Sequence, residues 1–140
     1  MVVAFGQILN QDFLDSFRLG AVNVHGSLLP KWRGAAPIQR ALEAGDTSGG
    51  VSLQKMVKKL DAGPVIGERK IQLSDEITAT ELYAMLSKLG CELLTKELLE
   101  FTQGYIQPQE QEEAQVTLAA KIEKEESLIS LESSAKKIHD

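Results

Sequence analysis

The first 25 residues combine two short apolar runs with one helical pattern, and this order constrains the fold more than any other feature of the chain. Residues 2–5 form an apolar run, and residues 21–25 form a second, largely apolar run. Between them, residues 11–18 place phenylalanine and leucine at helical spacing. A strand that is apolar on both faces is typical of a parallel sheet. The order strand, helix, strand therefore predicts a βαβ unit and an α/β fold.

The middle of the chain predicts one further helix and two strands. Residues 37–44 have a helical pattern, with Pro37 in the first turn and a glycine directly after the end. Residues 50–56 and 64–73 are predicted to be strands. Residues 61–64 (Asp-Ala-Gly-Pro) have the composition of a turn, so the two strands are expected to be neighbours along the chain.

One long helix is predicted over residues 79–102. Thr78 and Glu81 have the spacing of a capping box, which closes the first turn of a helix. Apolar side chains recur at helical spacing and predict a face that covers the sheet. They are Leu82, Leu86, Leu89, Leu93 and Leu98. Cys91, within the same helix, is predicted to be a small core residue.

The end of the chain is more polar than the rest. Residues 107–126 are mostly polar and acidic, which is typical of a linker, and residues 132–139 are predicted to start another helix. Residues 107–140 carry eight acidic and four basic side chains, whereas residues 1–106 carry twelve and eleven. The net charge of −5 is therefore concentrated at this end. An acidic chain is a poor candidate for binding nucleic acid by charge alone.

Composition and motifs exclude several classes of protein. A hydrophobic content of 43% with 25% charged residues excludes a disordered tail and a disulfide scaffold. No apolar run is long enough to span a membrane, no signal peptide opens the chain, and the single cysteine fits a reducing cytoplasm. The sequence has no dinucleotide fingerprint and no phosphate-binding loop. Two histidines and one cysteine argue against a structural zinc site, and no metal is expected.

Asn23 and His25 are the first candidates for chemistry. They stand at the end of the second predicted strand, and residues two apart on a strand point to the same face, about 6–7 Å apart. Ligands of open α/β sheets bind beyond the carboxyl ends of the strands. Asn23 and His25 could therefore address one small group together. The alternative is a turn-capping asparagine and a solvated histidine.

Asp61, in the predicted turn, is the third candidate. Aspartate is common in turns because its side chain can bond the turn backbone, and such a structural role is one interpretation. The other is a carboxylate held near His25, which would favour the charged form of the imidazole. The sequence leaves both interpretations open.

Lys31, Arg33 and Arg40 form a small basic cluster after the second strand. Each is either a solvated surface residue or an anchor for a carboxylate or phosphate. Trp32, the only tryptophan, lies among them. It is either a loop-packing residue or an exposed contact.

These candidates lie in segments that resemble the signature of the folate-dependent formyltransferase family. Residues 23–34 read Asn-Val-His-Gly-Ser-Leu-Leu-Pro-Lys-Trp-Arg-Gly, and family members share Asn-x-His followed by Ser-Leu-Leu-Pro. The catalytic aspartate of the family lies in Leu-Asp-x-Gly, which residues 60–63 match. Residues 33–39 (Arg-Gly-Ala-Ala-Pro-Ile-Gln) and 120–126 are similar to the methionyl-tRNA formyltransferase subfamily. The resemblance covers essentially the whole chain.

The resemblance implies a reaction and a set of site residues. The reaction is transfer of a formyl group from 10-formyltetrahydrofolate to the α-amine of methionyl initiator tRNA, with Asn23, His25 and Asp61 as catalytic residues and no metal. It also implies residues that contact or border the folate. These are Gly6, Gln7, Ile8, Leu9, Ser27, Leu28, Leu29, Pro30, Val57 and Leu60. The family often has acidic residues and a glycine where this chain has Val57-Lys58-Lys59, so the local charge is altered.

The resemblance further implies that the chain is an internal fragment. Residues 1–106 would be the C-terminal part of a Rossmann-like catalytic domain, residues 107–126 an interdomain linker, and residues 127–140 the start of an OB-like domain. The initiator tRNA would be contacted mostly by regions outside this chain, and we expect a cytoplasmic monomer that does not bind membranes. Two alternatives are another folate-dependent formyltransferase, such as one that acts on amino sugars, and an inactive truncated product without an assembled site.

Overall fold

The structure is a computed structural model that describes residues 1–3, 9–128, 130 and 132–139. Within these residues it contains six strands and five α-helices. In chain order they are β1 (Val2–Val3), α1 (Gln11–Asp15), β2 (Val22–His25), β3 (Arg33–Gly34), α2 (Pro37–Glu43), β4 (Ser48–Lys55), β5 (Val65–Gln72), α3 (Ala79–Leu93), α4 (Leu99–Thr102), β6 (Leu118–Ala119) and α5 (Ala135–His139). A π-helical turn at Leu94–Leu98 joins α3 to α4, so the long helix predicted over residues 79–102 is confirmed.

Four strands form one mixed sheet in the order β1-β2-β4-β5. β1 is parallel to β2, whereas β4 is antiparallel to both β2 and β5. The α/β fold is therefore confirmed, but the expectation of a parallel sheet holds only for β1 and β2. Parallel neighbours need a crossover of about a dozen residues or more, and only a short turn joins β4 to β5. These two strands therefore pair as a hairpin.

The core lies between the sheet and one face of α3. The predicted capping box at the start of α3 is confirmed. The Thr78 hydroxyl accepts from the backbone N–H of Glu81 at 3.3 Å, and the Glu81 carboxylate accepts from the backbone N–H of Thr78 at 2.9 Å. The buried residues of the face are Leu82, Leu86, Gly90 and Leu93. Cys91 is exposed, so its prediction as a core residue is wrong. It directly follows Gly90, and one helical step turns it about 100° away from the buried face.

Residues 109–126, predicted to be part of a linker, lie along the surface of this domain, and we call this segment the strap. Gln109 and Val65 exchange two backbone hydrogen bonds of 2.8 Å. Further along, β6 pairs in parallel with β3. Arg40 of α2 donates to two strap carbonyls at 3.1 Å each. The strap is therefore attached at several points along its length.

The remaining helices are short. α1 covers the first part of the helix predicted over residues 11–18, and α5 covers most of the one predicted over residues 132–139. α2 begins at Pro37, as predicted. In the part of the chain that the structure describes, no helix combines the length and the apolar character needed to cross a bilayer.

Candidate active site

Asn23 and His25 lie on β2, and the sheet register pairs them with Gln54 and Ser52 of β4. Directly opposed residues share a face of a sheet, as do residues two apart, so all four side chains lie on one face. His25 is 6% exposed, which excludes the alternative of a solvated histidine. Among the described residues, the Asn23 side-chain amide has no hydrogen-bond partner. Its donor group is therefore available to a ligand.

Both ring nitrogens of His25 face other residues of the chain. Nε2 lies 2.8 Å from the carbonyl oxygen of Trp32. A carbonyl can only accept, so Nε2 carries a hydrogen in this arrangement. Nδ1 lies 3.7 Å from Oδ2 of Asp61. The Trp32 indole in turn donates to Asp46 at 2.8 Å, so Trp32 packs in the loop and is not an exposed contact.

The Asp61 carboxylate is held by residues outside its own turn. Oδ1 accepts from the Gln54 amide at 2.9 Å, and Oδ2 accepts from the backbone N–H of Gly34 at 3.0 Å. The carboxylate thus bonds β4 and the loop before α2 rather than its own turn. The structure places Asp61 beside His25, with side chains 11% and 6% exposed.

The turn that carries Asp61 accepts few other residues. Asp61 has a φ of 46°, in the left-handed region that aspartate tolerates better than most residues. An added Cβ at Gly63 would lie 1.8 Å from the Lys55 carbonyl oxygen, so this position requires glycine. The sequence Leu-Asp-Ala-Gly therefore has a conformational reason as well as a chemical one.

Two further residues support the carboxylate, and the sequence analysis missed both. Gln54 is 2% exposed on the buried strand β4, and its Oε1 has no partner among the described residues. A glutamine inside a largely buried strand could have been recognised, because a buried polar side chain needs a specific partner. The contact of the Gly34 amide depends on the meeting of two loops, and no local pattern indicates it.

A sequence model described as formyl transferase matches residues 1–98, which is well over half of the chain. The chain belongs to the formyl transferase family. The family predicted from residues 23–34 and 60–63 is therefore confirmed.

Named relatives narrow the comparison within the formyl transferase family. The chain is 60% identical over 138 residues to a methionyl-tRNA formyltransferase of Bdellovibrio bacteriovorus, covering 99% of this chain and 43% of that protein. A methionyl-tRNA formyltransferase of Coxiella burnetii is 48% identical over 99% of this chain and 44% of its own length. The chain thus spans less than half of these relatives.

Solved structures share the fold. An N-formyltransferase from Helicobacter canadensis, in complex with folinic acid and dTDP-3-aminofucose, superposes with a TM-score of 0.82 over 96% of this chain and 50% of that one. At 20% identity this match shows the fold alone. The phosphoribosylglycinamide formyltransferase from Anaplasma phagocytophilum has a TM-score of 0.67 at 26% identity, over 79% of this chain and 57% of that one.

The predicted folate-contacting residues of this chain fall in separate places. Residues 6–8 lie outside the described residues, and Leu9 is half-buried just before α1. Val57 and Leu60 lie on the turn that carries Asp61 and are 41% and 59% exposed. These two apolar side chains are therefore available beside the carboxylate.

The loop of residues 27–30 follows β2 along the chain and is fixed to β4. The Ser52 hydroxyl lies 2.8 Å from the Ser27 carbonyl oxygen and holds this loop to β4. Together with parts of α2, α3 and β4, the loop lines a cavity of about 220 Å³. The residues that line it include neither Val57 nor Leu60, so the structure does not bring the two predicted groups together in this cavity.

The predicted basic cluster is divided between solvent and the strap. Lys31 is exposed. Arg33 is 3% exposed and donates to Glu113 at 3.0 Å, and Arg40 donates to Glu126 at 2.7 and 3.0 Å. Both arginines are therefore engaged by strap carboxylates, and they are neither solvated nor open to a phosphate in this arrangement.

These ion pairs shift the titration of the strap carboxyls. The Arg40 guanidinium, with a backbone N–H, lowers the pKa of Glu126 to about 2. Lys59 and Arg33 lower the pKa of Glu113 below its usual range. Glu113 and Glu126 are therefore favoured in their charged forms by the cations beside them. Across the described ranges, no three His, Cys, Asp or Glu side chains are grouped so as to hold a metal ion.

Proposed function

We propose that the protein containing this chain transfers the formyl group of 10-formyltetrahydrofolate to the α-amine of methionyl initiator tRNA. The observation that carries the proposal is the buried pair of His25 and Asp61 at the end of β2. It occurs in a chain 60% identical to a methionyl-tRNA formyltransferase. The solved relative with folinic acid supports a folate derivative as the donor.

The chemistry requires donors for a developing negative charge. The amine nitrogen attacks the formyl carbon, and the formyl oxygen becomes an oxyanion. Collapse breaks the bond from the formyl carbon to N10, which takes up a proton while the amine loses one. Preorganised hydrogen-bond donors stabilise such an oxyanion. Asn23 and His25, on one face of β2, are the donors that we assign. His25 would donate through Nδ1, because the Trp32 carbonyl already engages Nε2.

Asp61 is assigned the orientation of His25 and the movement of the amine proton. Since the Trp32 carbonyl engages Nε2, Nδ1 is the ring atom that faces the carboxylate. The 3.7 Å between Nδ1 and Oδ2 is longer than a hydrogen bond, so the two groups are neighbours without a direct hydrogen bond in this arrangement. We assign the passage of the amine proton to the carboxylate to one bridging water molecule. Gln54 and Gly34 hold the carboxylate in place before the substrates arrive.

We assign the residues that bind the folate and the tRNA from their positions in the chain and in the fold. Val57 and Leu60 stand beside Asp61 and would contact the folate together with residues 6–9, while residues 27–30 shape the loop that follows β2. Initiator tRNA would be bound largely by regions of the protein outside this chain, which correspond to the parts of the relatives that the chain does not span. Residues 127–140 would begin an OB-like domain. Such an enzyme would act in the cytoplasm as a monomer.

His25→Ala and Asp61→Asn test the assignment in the protein as it occurs in the cell. We expect the rate constant for formylation of methionyl initiator tRNA to fall about 10²–10⁴-fold in each, because oxyanion and acid–base groups contribute on this scale. Asp75→Asn is the matched control, since Asp75 is 88% exposed at its side chain. A rate within about threefold of wild type in a folded His25→Ala or Asp61→Asn protein would remove that residue from the mechanism. Preference for a nucleotide-linked amino sugar as acceptor would favour the alternative formyltransferase.

A further inference from the structure

We infer that Gln111, a strap residue, is a positioning residue of this site, which holds the turn of Asp61 against the loop of Gly34. The structural part of the inference rests on the hydrogen bonds of Gln111. Its effect on catalysis rests on the proposed function. Gln111 lies beyond residues 1–98, which the family model matches. The catalytic geometry would thus depend on a segment that the sequence predicts to be a linker.

The Gln111 side chain is hydrogen-bonded at both of its polar atoms. Nε2 donates to the backbone carbonyls of Asp61 at 2.8 Å and of Gly63 at 2.7 Å. Oε1 accepts from Nε of Arg33 at 2.9 Å. One amide therefore joins the two loops that meet at the active carboxylate.

These bonds close a ring around Asp61. Arg33 immediately precedes Gly34, whose N–H donates to the Asp61 carboxylate at 3.0 Å. From the other side, Gln111 holds the backbone of the same aspartate, which has a φ of 46°. A residue held in an uncommon backbone conformation depends on surrounding contacts to keep it there. The Gln111 amide is a contact that also fixes the distance between the two loops.

The strap itself fixes Gln111. Two residues earlier, Gln109 pairs with Val65 through two backbone hydrogen bonds. Two residues later, Glu113 accepts from Arg33 and from Lys59. The side chain is therefore presented to the Asp61 turn by attachments on both sides of it.

Three variants separate positioning from mere attachment. Gln111→Leu removes all three hydrogen bonds. Gln111→Glu keeps the size and the acceptor for Arg33 but removes the donors to Asp61 and Gly63. Gln109→Leu is the control, because the exposed side chain of Gln109 bonds only the nearby carbonyl of Gln107.

The direct readout is the backbone amide of Gly34 in ¹H–¹⁵N spectra of the 140-residue chain, since this amide reports the position of the Asp61 carboxylate. We expect Gln111→Leu and Gln111→Glu each to shift the Gly34 signal and to speed its hydrogen exchange by about tenfold or more. Gln109→Leu should leave both unchanged. If Gln111→Leu fails to fold, the Glu variant carries the same test. An unchanged Gly34 amide in either folded Gln111 variant would overturn the inference.

The catalytic readout is the formylation rate in the protein as it occurs in the cell. We expect kcat to fall about 10–100-fold in Gln111→Glu with KM for the tRNA within about twofold, because a small displacement of a reacting group affects the transition state. Equal kcat for Gln111→Glu and wild type would overturn the positioning role. The amide measurement requires no activity, so failure of the proposed reaction is distinguishable from failure of this inference.

Discussion

The carboxylate of Asp61 and two carboxylates of the strap are held in different ways. The Asp61 carboxylate accepts from the neutral donors of Gln54 and Gly34 in a buried place. The strap carboxylates of Glu113 and Glu126, by contrast, reach arginine side chains from the surface. Exposed ion pairs are screened by salt, whereas interactions in a buried place are screened much less. The turn of Asp61 therefore sets the geometry of the candidate site, whereas Glu113 and Glu126 attach the strap by charge.

Arg33→Met is expected to have the largest effect on stability, because Arg33 is buried and bonds both Gln111 and Glu113 of the strap. The change leaves the Gln111 oxygen without its donor, and we expect the free energy of unfolding to fall by about 2–4 kcal/mol in urea titrations. Lys59→Met is the control, since Lys59 binds the same Glu113 but is 66% exposed. Its expected change is below about 0.5 kcal/mol. Equal losses in the two variants would show that surface charge alone attaches the strap.

The elements that sequence predicted well are those with local causes. The capping box at Thr78 and the leucine spacing of α3 depend on residues three or four apart, and both are present as predicted. The antiparallel pairing of β4 was not predicted, because apolar content shows that a strand is buried but not which direction its neighbour runs. The attachment of the strap was missed for a similar reason. Arg33 and Glu113 are 80 residues apart, and a polar acidic segment indicates a linker until its partners are known.

In the candidate site, too, features with local causes were predicted and contacts between distant residues were not. The spacing of Asn23 and His25 on one strand predicts a shared face, and the structure shows it. The nearness of Asp61 to His25 was one of two interpretations that the residues left open, and only the resemblance to a family favoured it. No local pattern relates a turn to a strand 36 residues earlier. Gln54 was visible as a polar residue in a buried strand and was overlooked. The catalytic roles of these residues remain predictions.

Glu68→Gln extends the comparison, through pH, to a carboxylate of β5 that lies outside the strap and is partly exposed. Burial raises the pKa of Glu68, whose carboxylate lies 2.8 Å from the hydroxyl of Ser52. That hydroxyl has one proton and also lies 2.8 Å from the Ser27 carbonyl oxygen, so a protonated Glu68 suits the site better. A raised pKa means that its stabilising contribution is complete below about pH 4.5 and is lost as pH rises through the folded-state value.

We therefore expect Glu68→Gln to be more stable than wild type at pH 7, by less than about 1 kcal/mol because the residue is largely exposed. The difference should disappear below about pH 4.5 in urea titrations. Glu76→Gln, an exposed carboxylate without an ion pair among the described residues, should show no such trend. A loss of stability at pH 7 in Glu68→Gln would contradict the expected sign.

Glu126→Gln tests the ion pair between the strap and Arg40. Its expected effect on stability at pH 7 is opposite in sign to that of Glu68→Gln. Because Arg40 lowers the pKa of Glu126 to about 2, the contribution of this carboxylate is complete above about pH 4.5 and is lost as pH falls toward 2. Wild type should therefore exceed the variant in stability at pH 7, by a small margin that vanishes near pH 2. Trypsin should also cleave the variant faster after Lys121 and Lys124 at pH 8, because the end of the strap opens more often. Glu125→Gln, on the same turn, is the control, and equal cleavage of the two variants would show that the Arg40 pair does not attach the strap.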